Sequence, residues 1–173
     1  MTEERVVLLG EDGTPIGSEL KRLVHTTDTP LHLAFSCHVL NAAGQVLVSR
    51  RALGKLTWPG VWTNSFCGHP QPGEAMEDAV VRRAHDELGL SVRQVRVELP
   101  GFRYRATDAS GVVENEVCPV YLAVTDEEPH PNPDEVMDAR WAEAGALGSA
   151  LRAAPWAFSP WFVSQAAEVP LYT

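Results

Sequence analysis

The chain has 173 residues, with 14 Lys+Arg against 23 Asp+Glu and a formal charge of −9. The length suits one domain with a sizeable core, and the charge argues against non-specific binding to nucleic acid or an anionic membrane surface. No apolar run approaches a membrane span, the start MTEERVVLLGEDG lacks a signal-peptide pattern, and three cysteines with no C-x-x-C pair read as free thiols of a reducing cytoplasm.

Residues 6–9 are a short apolar run closed by Gly10-Glu11-Asp12-Gly13, a strand and turn signal. Residues 17–25 are polar and carry Lys21 and Arg22. Residues 25–30 form a loop, and His32 opens the next strand. Residues 33–40 are apolar and predict a buried strand, turned by Asn41-Ala42-Ala43-Gly44 into a second strand at 45–49. That pair is a hairpin candidate. Residues 50–55 (RRALGK) are a basic connector, and Trp58-Pro59-Gly60 breaks regular structure.

The chain is organised around residues 62–90, WTNSFCGHPQPGEAMEDAVVRRAHDELGL. Cys67 stands one residue from Gly68 and two from His69, and the turn PQPG follows. Ala75, Met76, Ala79, Val80, Ala84 and Leu88 then recur at helical steps. Glu74, Glu77 and Asp78 fall in the first turns, where the helix dipole favours negative charge. Arg82–Asp86 and Arg83–Glu87 are i,i+4 pairs expected on the exposed face, and Gly89 is a natural stop.

Beyond it, 92–99 and 102–106 are strand-like, and Asp108-Ala109-Ser110-Gly111 is a turn. Residues 114–124 begin with alternating charge and end apolar, and 127–134 (EEPHPNPD) are a proline-rich loop. Residues 135–141 predict a strand, 142–153 a helix, and 156–167 a final aromatic-bearing helix. This order suggests an α/β or α+β sandwich.

Glu114 and Glu116 are two apart, which on a strand puts both carboxylates on one face. His25 and His32 flank a loop, and His69 sits beside Cys67. His38, His85 and His130 read as ordinary surface or core residues, and Cys37 and Cys118 as inert buried thiols. Twelve arginines accompany only two lysines, Lys21 and Lys55.

Gly68-x5-Glu74-x7-Arg82, continued by Arg83-Ala84-x-Asp86-Glu87-x-Gly89-Leu90, resembles the Nudix box, with Arg83 and Asp86 where the box has Glu and with a small Ala84. The stretches SELKRLVH, TPLHLAFS, SRRALGKLTWPGVWTNSFCGHP, FRYRA, ENEVCPVY and SPWF resemble type 1 isopentenyl-diphosphate isomerases, a divergent Nudix-fold family. They run from near Lys21 to Trp161. The resemblance implies an α/β (α+β) fold, a Nudix-like α/β/α sandwich with a mixed sheet, in a single domain over residues 1–173 with the box at 68–90. The implied activity is interconversion of isopentenyl and dimethylallyl diphosphate in isoprenoid biosynthesis, by protonation and deprotonation through a carbocation.

The same resemblance implies that His25, His32, His69, Glu114 and Glu116 hold one divalent ion, Mn²⁺, Mg²⁺ or Zn²⁺. Glu87 would hold Mg²⁺ shared with the substrate diphosphate. Lys21, Arg51, Lys55 and Arg83 are the expected diphosphate contacts, the lysines acting as compact point charges. Cys67 and Glu116 are the expected proton-transfer pair, with Tyr104 beside Glu116 and Trp161 facing the cation. A metal on Glu116 would sharpen its acidity, and Mg²⁺ and His69 would help stabilise a Cys67 thiolate.

The expected partner is a small allylic or homoallylic diphosphate, with no nucleic acid or membrane, bound by a cytoplasmic monomer. The first alternative is a Nudix diphosphate hydrolase, which wants carboxylates where Arg83 stands and has no need for Cys67. A non-catalytic metal- or nucleotide-binding module is the second, and it leaves Tyr104, Trp161 and the lysine pair without a shared purpose.

Overall fold

The computed structural model of the chain describes residues 3–173; Met1 and Thr2, the start of the acidic N-terminal stretch, lie outside them. A first hairpin pairs β1 (Arg5–Leu9) with β2 (Pro15–Leu20), and one helical turn, α1 (Lys21–Val24), follows. The polar stretch is therefore strand and helix. Its backbone pairs with β1, and Arg5 bonds Ser18 through Nε to Oγ at 2.9 Å. An edge strand held this way shows no apolar alternation of its own.

The expected strand at 33–40 is two strands, β3 (His32–Leu33) and β4 (Phe35–Leu40), and the chain continues into β5 (Val46–Arg51). The Cys67 unit supplies β6 (Trp62–Thr63), β7 (Phe66–Gly68) and α2 (Met76–Leu88). Then come β8 (Arg93–Leu99), β9 (Arg103–Thr107), β10 (Val113–Val117), β11 (Val120–Val124) and β12 (Val136–Ala142). The chain closes with α3 (Ala144–Ala153), α4 (Pro160–Glu168) and a 3₁₀ turn at Pro170–Tyr172.

One sheet has the order β2-β1-β3-β10-β9; the other runs β12-β5-β4-β11-β8, with β6 on β5 and β7 on β4. Two parallel partners change sheet together. β3 lies beside β10 with His32 opposite Glu116, and β4 lies beside β11. Ala34 N–H donates to the Val117 carbonyl at 2.9 Å and Ser36 N–H to the Pro119 carbonyl at 3.0 Å, so the ladder survives the step. Pro119, with no N–H to give a ladder, sits at that step. The expected continuous run 114–124 is split there for the same reason.

The β4–β5 hairpin opens at once, with Leu40–Val46 as its paired position. β7 takes Phe35 to Cys37 and β6 takes Ser49 and Arg50. Ser65 holds the fork, accepting from Val39 N–H at 2.8 Å and donating to the Leu47 carbonyl at 2.6 Å. Cys67 is thus wedged into the mouth of a hairpin.

α2 packs Ala79, Val80, Ala84 and Leu88 on Phe35, Cys37, Leu47 and Phe66. On the alternate residues, Val46, Val48 and Val120 face Leu147, Leu151, Trp161 and Phe162. Period-two alternation of a strand thus gives helices on both faces, the sandwich expected from the sequence. Gly89, at φ 61°, ends α2 with its N–H on the His85 carbonyl at 2.9 Å.

Three local expectations are corrected. Arg83 and Glu87 form an ion pair that is buried, only 5% and 8% exposed. Arg82 pairs with Glu74 at 2.8 Å rather than with Asp86; Glu74 lies before the helix and also accepts Gln71 N–H at 2.7 Å, tying the PQPG turn to α2. The last helix begins at Pro160, capped by Ser159, which leaves Trp156 in a 3₁₀ turn and 84% exposed while Trp161 is 2% exposed. Among the described residues no helix is long and apolar enough to cross a membrane.

Candidate active site

Glu116 is the centre of a histidine cage. β10 presents it opposite His32 on one neighbour and Tyr104 on the other. His32 Nε2 is 3.3 Å and His69 Nε2 3.2 Å from its Oε1, with His25 Nε2 at 4.0 Å. Tyr104 donates its hydroxyl to Oε2 at 2.9 Å. Glu114 projects from the same strand face, and its Oε2 stands 3.0 Å from His25 Nε2. One donor atom each from His25, His32, His69 and Glu116 lies within 4.8 Å of the others; Glu114, whose Oε1 accepts from Thr57 at 2.6 Å, is outside that tightest group.

These side chains fit a divalent cation. His32 Nδ1–H donates to the Pro30 carbonyl at 2.9 Å, which leaves the Nε2 lone pair facing the cage. His25 Nε2, His32 Nε2 and Glu114 Oε2 are buried with no hydrogen-bond partner among the described residues. Three imidazoles and carboxylate oxygens suit a borderline or hard ion.

The charges respond to one another. Burial raises Glu116, but His25, His32 and His69 outweigh it and hold the carboxyl well below its usual range. Burial works against charge on His25, yet Glu114 and Glu116 raise it to about 9. Burial instead wins at His69, pushed down to about 4. Burial pushes the Cys67 thiol up to about 12, against its hydrogen bonds with Ser36 and Asn64; Glu116 raises it further and Arg51 lowers it.

One cavity of about 620 Å³ is lined by Cys67, Glu116, Glu114, Tyr104, Trp161, His25, His69, Glu87, Lys21, Arg51, Lys55 and Arg83. Every residue singled out in the sequence reaches it except His32, which is fully buried behind Glu116. The basic residues are already engaged. Lys21 bonds Glu4 at 2.7 Å, Lys55 pairs with Glu135, and Arg83 meets Glu87, Glu135 at 3.4 Å and Glu4 at 3.6 Å. Arg51 donates to the Thr57 carbonyl at 2.8 and 3.0 Å, and its guanidinium lies 5.3 Å from the Trp161 ring centre. Trp161 stacks near Tyr104 at 5.7 Å and edge-on to Trp58 at 5.2 Å.

Three further residues of the site were not singled out from the sequence. Thr57 links Arg51 to Glu114, and Glu135 joins Lys55 to Arg83. Asn64 stood inside the motif NSFCGHP; its Oδ1 accepts from Trp161 Nε1 at 3.1 Å, Thr63 Oγ1 at 2.9 Å and Cys67 Sγ at 3.4 Å.

The NUDIX domain family matches residues 30–162. An isopentenyl-diphosphate Delta-isomerase of Agromyces mediolanus is 63% identical over 96% of this chain and 81% of its own length. One of Kocuria rhizophila is 60% identical over 98% and 94%, and one of Citrobacter koseri 56% over 97% and 93%. The chain belongs to the isopentenyl-diphosphate Delta-isomerase family of Nudix proteins. The fold is shared more widely than that family. DR0079 from Deinococcus radiodurans superimposes with a TM-score of 0.65 at 22% identity, over 87% of this chain and 90% of its own. A MutT protein of Methanosarcina mazei does so at 0.60 and 16% identity, over 78% and 89%. In this isomerase family member the Nudix helix α2 carries the Arg83–Glu87 pair into the cavity wall.

Proposed function

We propose that the chain is an isopentenyl-diphosphate isomerase acting as one catalytic unit, a cytoplasmic monomer, with Cys67 and Glu116 moving protons on either side of one alkene. The observation that carries the reading is the shared cavity of Cys67 and Glu116, with Tyr104 and Trp161 in its walls and four basic side chains around it. Isomerisation adds a proton at the terminal methylene and removes one two carbons away. Between the two steps the central carbon is a tertiary cation.

An unactivated alkene is a weak base, so the acid must be strong. Three imidazoles around Glu116 favour its ionised form, so a proton placed there leaves readily. Tyr104 fixes the orientation of that carboxyl. Cys67 thiolate takes the second proton, and the C–H electrons close the new double bond. The two protonation states are linked, because protonating Glu116 removes the negative charge that raises Cys67. In the reverse direction the roles exchange.

His25, His32, His69, Glu114 and Glu116 would hold one divalent ion, Mn²⁺, Mg²⁺ or Zn²⁺, and Glu87 with the diphosphate would hold Mg²⁺. Bound there, such ions supply electrostatic acidification of Glu116 and neutralisation of the diphosphate. Lys21, Arg51, Lys55 and Arg83 bind the diphosphate by exchanging their present carboxylate and carbonyl partners for phosphate oxygens. Trp161, near Arg51 and buried, keeps water from the cation and offers it a π face.

Turnover of isopentenyl diphosphate by Cys67→Ala and Glu116→Gln tests the assignment. Both variants bind substrate and lose at least about a thousandfold in kcat. Near-normal turnover in either one removes that residue from the mechanism. Phosphate release without isomerised product favours the hydrolase instead.

A further inference from the structure

A second polar chain reaches Cys67 from the C-terminal end of the molecule, through four side chains with no exposed surface: Tyr172, His38, Gln165 and Ser36. His38 Nε2 meets Gln165 Oε1 at 3.0 Å. An amide oxygen only accepts, so Nε2 carries the hydrogen and Nδ1 accepts from the Tyr172 hydroxyl. Gln165 Nε2 in turn donates to Ser36 Oγ at 2.8 Å. With that lone pair taken, the Ser36 hydrogen has two sulfurs within reach, Cys67 at 3.2 Å and Cys118 at 3.4 Å. Cys67 is the nearer, and it opens to the cavity, whereas Cys118 is 1% exposed in the core.

We propose that Ser36 is a positioning residue for Cys67: its hydroxyl hydrogen is turned onto Sγ, and Gln165, backed by His38 and Tyr172, fixes that direction. A donor on one side of the sulfur favours negative charge there and leaves a lone pair for the cavity. Each donor in the chain polarises the next, and α4 thereby reports to the β4–β7 strand pair that carries the thiol. The proposal rests on reading Cys67 as the proton-transfer thiol. It explains why His38 and Gln165 are kept polar in the core.

The test compares wild type, Ser36→Ala, Ser36→Thr, Gln165→Met and the Ser36→Ala/Gln165→Met double variant, all metal-loaded. Iodoacetamide alkylation of Cys67 is followed at one alkaline pH by mass spectrometry of its peptide. Ser36→Ala slows it by about tenfold, as loss of a hydrogen bond to a charged group does, and Gln165→Met by about threefold or more. Ser36→Thr stays near wild type, and the double variant is no slower than Ser36→Ala, because the two residues act in series. In turnover, kcat follows the same order while KM stays within about twofold. Alkylation in Ser36→Ala as fast as in wild type, or losses that multiply in the double variant, overturn the proposal. A wild type that fails to isomerise overturns the isomerase reading alone, and the alkylation series still decides the role of Ser36.

Discussion

Trp161 is buried and is held by more than apolar packing. Its indole N–H is tied to Asn64, and its face already carries a guanidinium. A ring so placed stabilises a desolvated cation by about 2 kcal/mol, over tenfold in rate if confined to the transition state. Trp161→Phe keeps a π face and retains at least about tenfold more kcat than Trp161→Leu. Equal losses in the two variants contradict cation stabilisation. His38 offers a second measurement. Burial depresses it to about 4 from an ordinary 6.5, although the Gln165 bond works the other way. Below pH 6.5 the unfolded chain takes a proton that the folded chain refuses. Stability is therefore full above pH 6.5 and falls toward pH 4, by roughly 3 kcal/mol over that window. Urea unfolding across the window shows this loss in wild type and a correspondingly smaller one in His38→Gln; equal losses contradict a neutral buried imidazole.

The elements with their own amphipathic pattern were legible from sequence, and those whose place is set by a partner were not. α2 shows six apolar residues at helical spacing and a glycine stop, and it begins and ends close to where that pattern says. β2 has no such pattern and is a strand because β1 pairs with it. The breaks at Ala34 and Pro119 belong to two parallel strands changing sheet together, which neither run records. Charges at i,i+4 on α2 looked solvent-facing, yet Arg83 and Glu87 turn inward because the cavity lies there. The C-terminal elements depend on close approach. A Cβ on Gly148 in α3 would lie 2.1 Å from the Tyr172 carbonyl oxygen. Gly148→Ala therefore forces the last turn outward and costs about 1–3 kcal/mol, read as a lowered thermal midpoint; an unchanged midpoint would show that the C-terminal turn is loosely held.

At the scale of the molecule, two sheets and the helices packed on them bring together residues more than a hundred positions apart. Lys21, His25 and His32 come from the first hairpin and its exit, Cys67 and Glu87 from the central unit, Tyr104 and Glu116 from β9 and β10, and Trp161 from α4. Motif resemblance picked out these residues because the family's site residues fall on them. It passed over Ser36 and Thr57, which stand in the same runs, and Glu135, which stands outside them, because their contacts arise from what lies beside them in space. The most direct measurement is incubation with isopentenyl diphosphate and Mg²⁺ in heavy water, followed by NMR. The account predicts dimethylallyl diphosphate with deuterium in the newly formed methyl group and the diphosphate intact. Release of inorganic phosphate, or product without deuterium in that methyl group, would contradict it.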